Sequence, residues 1–237
     1  MNEIEILYED NHLLVVNKPA GLATMGTGDD APTVHRLACE YLRDKYAKPG
    51  KVFLGVVHRL DSMSSGVLVL ARTSKAASRL SEQFRLGTGG PEKIYLAVVE
   101  GDVAQPRGHF RDWIVKDEGA HRMRVAPAER KSAQSAELEY DVLRRATGGE
   151  RSTLVAVKLL TGRKHQIRVQ FADRAHAILG DVKYDAARQS FRGIALHAWR
   201  LTIVHPTKAA PMTFTSLPTT WGRWTPTTAE LQRIAGG

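Results

Sequence analysis

The longest apolar stretches of this chain are only as long as a strand. LLVV at 13–16, VLVLA at 67–71 and IYLAVV at 94–99 each stop after four to six residues, far short of the about 20 that span a bilayer. Runs of this length, closed by Gly, Pro and polar clusters, are the mark of sheet strands buried in a folded core. Two further segments alternate. ELEYDVL sets Leu138, Tyr140 and Val142 against charged neighbours, and STLVAVKLL follows after ATGGE, a turn sequence that would make the two an antiparallel pair. LHAWRLTIV at 196–204 is read as a last strand.

Helical spacing appears between these runs. In TVHRLACEYLRDKY, Val34, Leu37, Ala38, Tyr41 and Leu42 fall on one face, with Thr33 placed to cap it. Ala76, Leu80 and Phe84 predict a second helix over 75–86. RKHQIRVQFADRA fits either period; its length favours a helix, capped by Thr161. The polar 101–135 segment lacks clear periodicity and is expected to form irregular hairpins or long loops, and the tail after Pro218 to wrap the surface or end in a short helix. With no repeat or linker, the pattern implies a mixed α/β (α+β) chain with much antiparallel sheet, folded as a single domain over 1–237.

Composition narrows function. An excess of 34 Lys and Arg over 25 Asp and Glu gives +9, which favours a polyanionic partner such as nucleic acid. A single cysteine, Cys39, excludes an internal disulfide or a multi-cysteine metal site and fits a reducing, cytoplasmic compartment. The nine histidines show no metal-ligand spacing, so His58, His165 and His197 are expected to be hydrogen-bonding scaffold. MNEIEILYED has neither the basic start nor the apolar run of a signal peptide.

Two clusters are chemically unusual. His58-Arg59-Leu60-Asp61 puts charge between strand-like runs, where it serves either a turn closed by Asp61, Ser62, Ser64, Ser65 and Gly66 or a reactive site. Thr161 to Arg168 opens the expected third helix with cations, against the helix dipole; that suits a facing anion or a solvated basic face.

LLVVNKPAGL, VVHRLDSMSSGVLVLART, KIYLAVVEG, LLTGRKHQIRVQFADRAHAILGDVKYD and LHAWRLTIVHP together resemble, in order and spacing, the RluA-type pseudouridine synthases. The resemblance spans residues 13–206. It implies one cofactor-free, metal-free catalytic domain around a largely antiparallel mixed sheet with flanking helices, acting on structured ribosomal or transfer RNA as an isomerase. By the same resemblance Asp61 is the catalytic aspartate, and Arg59 helps open the RNA and replace the flipped nucleotide. Tyr95 packs against the target base, Arg168 pairs with the aspartate, and Leu196 lines the pocket. Lys18 is solvent-facing by residue type, with at most a phosphate contact. The motifs start too near Met1 for an N-terminal domain of the S4 type, and a monomer is the default expectation.

The chain departs from the family in three places: Ser64 stands for threonine, Ala177 for proline, and Asp185 for the glycine after Tyr184. Two other functions compete, a catalytically silent RNA binder on the same scaffold and a nucleoside or glycoside hydrolase acting at C1′. The second needs two carboxylates; Asp181 is the candidate, although its place in LGD suits a turn cap.

Overall fold

A computed structural model describes residues 4–26, 32–47, 49–87, 89–146, 151–187 and 193–235. The elements run β1 (Glu5–Glu9), β2 (Leu13–Lys18), α1 (Val34–Lys45), β3 (Gly55–Val56), β4 (Ser65–Ala71), α2 (Ser74–Arg85), β5 (Glu92–Glu100), β6 (Arg107–Asp117), β7 (Arg122–Ala126) and β8 (Gln134–Arg145). After these come β9 (Ser152–Leu159), α3 (Gln166–Ala172), β10 (Leu196–Val204), β11 (Pro211–Thr215) and α4 (Thr228–Ala235). The chain forms two compact units, one of residues 1–92 and 198–216, the other of 93–197 and 217–237.

In the first unit the strands lie in the order β1-β2-β4-β10, with β11 antiparallel to β10 and the short β3 beside β4. The apolar runs fill its core: Leu13, Val15, Val67, Val69, Leu201 and Ile203 pack with Ala76 and Leu80 from α2. The first helix starts at its expected cap, and the second has a hydroxyl cap of its own. Thr33 Oγ1 accepts the Arg36 N–H at 3.2 Å, and Thr73 Oγ1 accepts that of Ala76 at 3.2 Å.

The second unit is an antiparallel succession, β5-β9-β8-β6-β7. The expected β8–β9 pairing is present; residues 147–150 of its turn lie outside the described residues. The 101–135 segment corrects its reading. It holds two regular strands, β6 and β7, because Arg107, His109, Arg111 and Trp113 alternate with Gly108, Phe110, Asp112 and buried Ile114. A strand whose outer face is mostly long polar side chains, with an aromatic ring among them at Trp113, hides its period from an apolar count.

The third helix is shorter than its pattern and is not capped by Thr161. It begins after His165, which adopts a left-handed conformation (φ 53°) and makes no side-chain cap bond. Arg163 and Lys164 therefore precede the helix and do not sit on its first turn. Its core contacts run through Val169 to Ile114, Met123, Ala136 and Tyr184. The tail does end in a short helix, α4, and no helix among the described residues is long and apolar enough to cross a membrane.

Candidate active site

The His58–Asp61 segment is anchored at almost every residue. His58 Nε2 accepts the Val69 N–H at 3.0 Å, and the ring stacks on Phe84 of α2 with centroids 4.3 Å apart. Leu60 is buried, and Thr24 holds both its backbone groups: Oγ1 accepts from the Leu60 N–H at 3.2 Å and donates to its carbonyl at 3.0 Å. Ser64 donates to the Asp61 carbonyl through its N–H (3.2 Å) and Oγ (3.0 Å). Between these anchors Arg59 is exposed and Asp61 half-buried. The Ser-rich turn and a presented carboxylate are thus one local structure.

Lys18 lies beneath this loop and corrects the surface reading. Its side chain is wholly buried, and the ammonium donates to the carbonyls of Pro19 (2.9 Å), Leu22 (2.6 Å) and Ser62 (3.0 Å). Three N–H donors meet three acceptors, which is why the chain tolerates an amine there. Burial pushes the Lys18 pKa down to about 8, against the opposing pull of the Asp61 carboxylate. The Gly21 N–H also binds the Ser62 carbonyl, at 2.8 Å. At the far end of the loop Gly66 (φ 116°) faces β10 so closely that a Cβ would fall 2.3 Å from the Ala198 carbonyl oxygen.

In the second unit Arg168 is buried on α3 and makes a two-pronged contact with Asp181, Nε to Oδ2 at 2.6 Å and Nη2 to Oδ1 at 2.8 Å. The guanidinium also lies over the Tyr184 ring, 5.0 Å from its centroid. The Tyr184 hydroxyl accepts the Met123 N–H at 3.0 Å and shares a hydrogen bond with His165 Nδ1 at 2.9 Å. Gln166 fixes the turn before the helix. Its Oε1 accepts from Thr161 Oγ1 (2.7 Å) and the Arg163 N–H (3.0 Å), and its Nε2 donates to the Glu137 carbonyl (2.9 Å).

Strand register puts Tyr95 in one row with Val157 and Tyr140. Tyr140 touches Phe171 of α3, so half-buried Tyr95 is on the sheet face against which α3 packs. Leu196 is buried at the start of β10, next to Ala195, whose N–H and carbonyl bond Leu179 and Val98. Arg59 and Asp61 thus share one loop of the first unit, and Tyr95, Arg168 and Leu196 belong to the second.

Residues 12–173 match the family model described as RNA pseudouridylate synthase. The chain is also 36% identical over 212 residues to the dual-specificity RNA pseudouridine synthase RluA of Yersinia pestis, covering 88% of this chain and 96% of that one. The chain belongs to the RluA-type RNA pseudouridine synthases. This family of isomerases includes a second relative, the uncharacterized RNA pseudouridine synthase YhcT of Bacillus subtilis, 35% identical over 205 residues; the match covers 86% of this chain but only 65% of YhcT. The fold is that of human RNA pseudouridylate synthase domain containing 1, with a TM-score of 0.78 at 22% identity over 99% of this chain and 95% of that one.

Two buried charged residues, one in each unit, have partners that sequence reasoning missed. Asp181 is the N-terminal flank of a single 3-10 turn but makes no side-chain cap bond; its carboxylate is fully buried and taken by Arg168. The signal was present as an acid closing the apolar AILG run of 177–180, where an unpaired charge would be untenable. Lys18 was hidden because its acceptors are backbone carbonyls, which no side-chain pattern reveals. The departure at Asp185 also has an explanation: it takes a left-handed conformation (φ 64°), which Asp tolerates better than most residues, and Arg122 binds its carboxylate at 2.7 Å.

Proposed function

We propose that this protein isomerises uridine to pseudouridine in structured ribosomal or transfer RNA, with Asp61 as the catalytic carboxylate. The observation that carries this reading is a half-buried acid presented by a loop bound through His58, Leu60, Ser62 and Ser64. Fixed geometry of that kind is what a reaction at a sugar carbon needs. Isomerisation breaks the bond from N1 to C1′, turns the base, forms the bond from C5 to C1′, releases the C5 proton to solvent and leaves N1 carrying a proton taken up in its place. Asp61 serves either by attacking C1′ or by taking the 2′ proton. A primary isotope effect from deuterium at C2′ belongs to the second route alone.

Arg168 is assigned as the cation that pairs with the catalytic carboxylate, a role its forked, permanently charged guanidinium suits. Its own orientation is set by Asp181. Tyr95 is assigned to stack on the freed base, a contact worth about 1–3 kcal/mol in single-strand complexes. Leu196 is assigned to the pocket wall, and Arg59, the exposed member of the loop, to the gap left by the flipped nucleotide. The hydrolase reading loses its second acid, since the Asp181 carboxylate is bound by Arg168.

RNA tritiated at uracil C5 provides the test. Tritium release from an intact strand, abolished by Asp61→Ala, is the expected result; free uracil would instead identify a hydrolase, and binding with neither product a silent RNA binder.

A further inference from the structure

The first unit has a feature that these assignments leave unused. Two hollows of about 530 and 310 Å³ adjoin, sharing Met25 and His35 in their linings. The larger runs along α1 past Arg36, Arg43 and Lys51, and the smaller ends at His58 and Arg59. Together they make one groove leading away from the Asp61 loop.

The groove is preformed. His35 Nε2 is hydrogen-bonded to the Leu54 carbonyl at 2.9 Å, and Cys39 Sγ donates to the Val52 carbonyl at 3.8 Å, so α1 and the 51–57 strip are fastened together. Among the described residues the lining is mostly cationic: Arg36, Arg43, Lys51 and Arg59 stand against one carboxylate, Glu40. Arg36 pairs with Glu40 at 3.1 Å and Arg43 with neighbouring Asp44 at 3.4 Å, but both pairs are exposed, and such pairs are worth only about 0–1 kcal/mol, so a phosphate can displace them. Two large apolar groups stand open on these segments: Met25 is 53% exposed on the shared wall, and Phe53, outside both linings but in sequence between Val52 of one hollow and Leu54 of the other, is also 53% exposed.

We infer that this groove carries the RNA strand flanking the target uridine, with phosphates toward Arg36, Arg43 and Lys51 and bases against Phe53 and Met25. The inference rests on the proposed reaction and adds a track outside the catalytic loop. Cations beside an exposed ring and thioether form the pairing that single-stranded nucleic acid exploits, charge for the backbone and a flat apolar surface for each base. An acidic peptide would use the cations and leave the ring idle.

Fluorescence anisotropy of the full chain with two probes provides the test. One is an RNA hairpin with uridines in its loop, the other the same hairpin with single-stranded extensions at both ends. The extended probe should bind the wild type more tightly, and Phe53→Ala should weaken it about tenfold or more, the equivalent of one lost stack. Lys51→Ala should lower the slope of log affinity against log salt by about 0.7, the value of one single-strand phosphate, and Lys51→Arg should restore it. Both residues are exposed, so unchanged thermal midpoints are expected. Equal affinity of both variants and wild type for both probes would overturn the groove, as would polyglutamate competing as well as single-stranded RNA of equal charge. Tritium release on the same samples separates the two readings: with release intact and the variants silent, only the track fails. With no release but binding that depends on Phe53 and Lys51, the isomerase reading fails and the track stands.

Discussion

Removing the Asp181 carboxylate tests whether Arg168 is positioned or merely present. The two side chains are 0% and 5% exposed and joined by hydrogen bonds of 2.6 and 2.8 Å. Deleting one partner of a buried pair leaves the other charge uncompensated, at a cost of about 3–5 kcal/mol. For a chain of this size each kcal/mol lowers the melting midpoint by about 2–4 °C, so Asp181→Ala should melt about 6–20 °C lower. Asp181→Asn keeps an acceptor for one of the two bonds and should lose less. Apolar replacement of both partners is frequently neutral for stability, so Arg168→Met with Asp181→Leu should recover part of the lost stability. It should recover none of the turnover, since the guanidinium is gone. Differential scanning calorimetry and tritium release on the four proteins provide the assay. If Asp181→Ala melts within 2 °C of the wild type (about 1 kcal/mol or less) and turns over normally, the pair neither stabilises the fold nor orients the arginine.

The remaining predictions concern the loop and its supports. Burial lowers the Lys18 pKa to about 8 in the folded chain from its ordinary value of 10.5, so between those pH values the unfolded chain holds a proton that the folded chain has released. Its contribution to stability therefore rises with pH across that window, by up to about 3 kcal/mol; urea midpoints at pH 8 and 10 should show this rise in the wild type and lose it in Lys18→Met. Gly66→Ala combines φ 116° with a Cβ 2.3 Å from a backbone oxygen, so soluble yield and melting midpoint should both fall sharply; a variant that melts like the wild type would mean β4 and β10 are not that close. Thr33→Ala removes the α1 cap and should cost about 1 kcal/mol in urea unfolding, with no change expected in turnover.

The legible parts of the fold were those written in apolar periodicity. VLVLA, IYLAVV and LHAWRLTIV each became a strand, and the Thr33 helix began at its cap. The regular strands of the β6–β7 hairpin were not legible, because the outward side chains are mostly long and polar and face small or half-buried ones. At the site, HRLD and GRKHQIR were visible as charge in unlikely places. Their supports were not visible, because Thr24, Gly21 and Lys18 act through backbone groups of residues 60 and 62, some 40 positions away, which only the folded register brings together. Asp181 was legible as an acid closing an apolar run, but its partner 13 residues upstream was not, since nothing in the spacing says which buried cation faces it.

The most direct measurement is nucleoside chromatography of RNA treated with wild-type protein and with Asp61→Asn, whose amide keeps the shape of the side chain and removes its charge. Pseudouridine should accumulate with the wild type alone while both proteins bind the RNA equally. Pseudouridine formed by Asp61→Asn at the wild-type rate would show that the chemistry does not pass through this carboxylate.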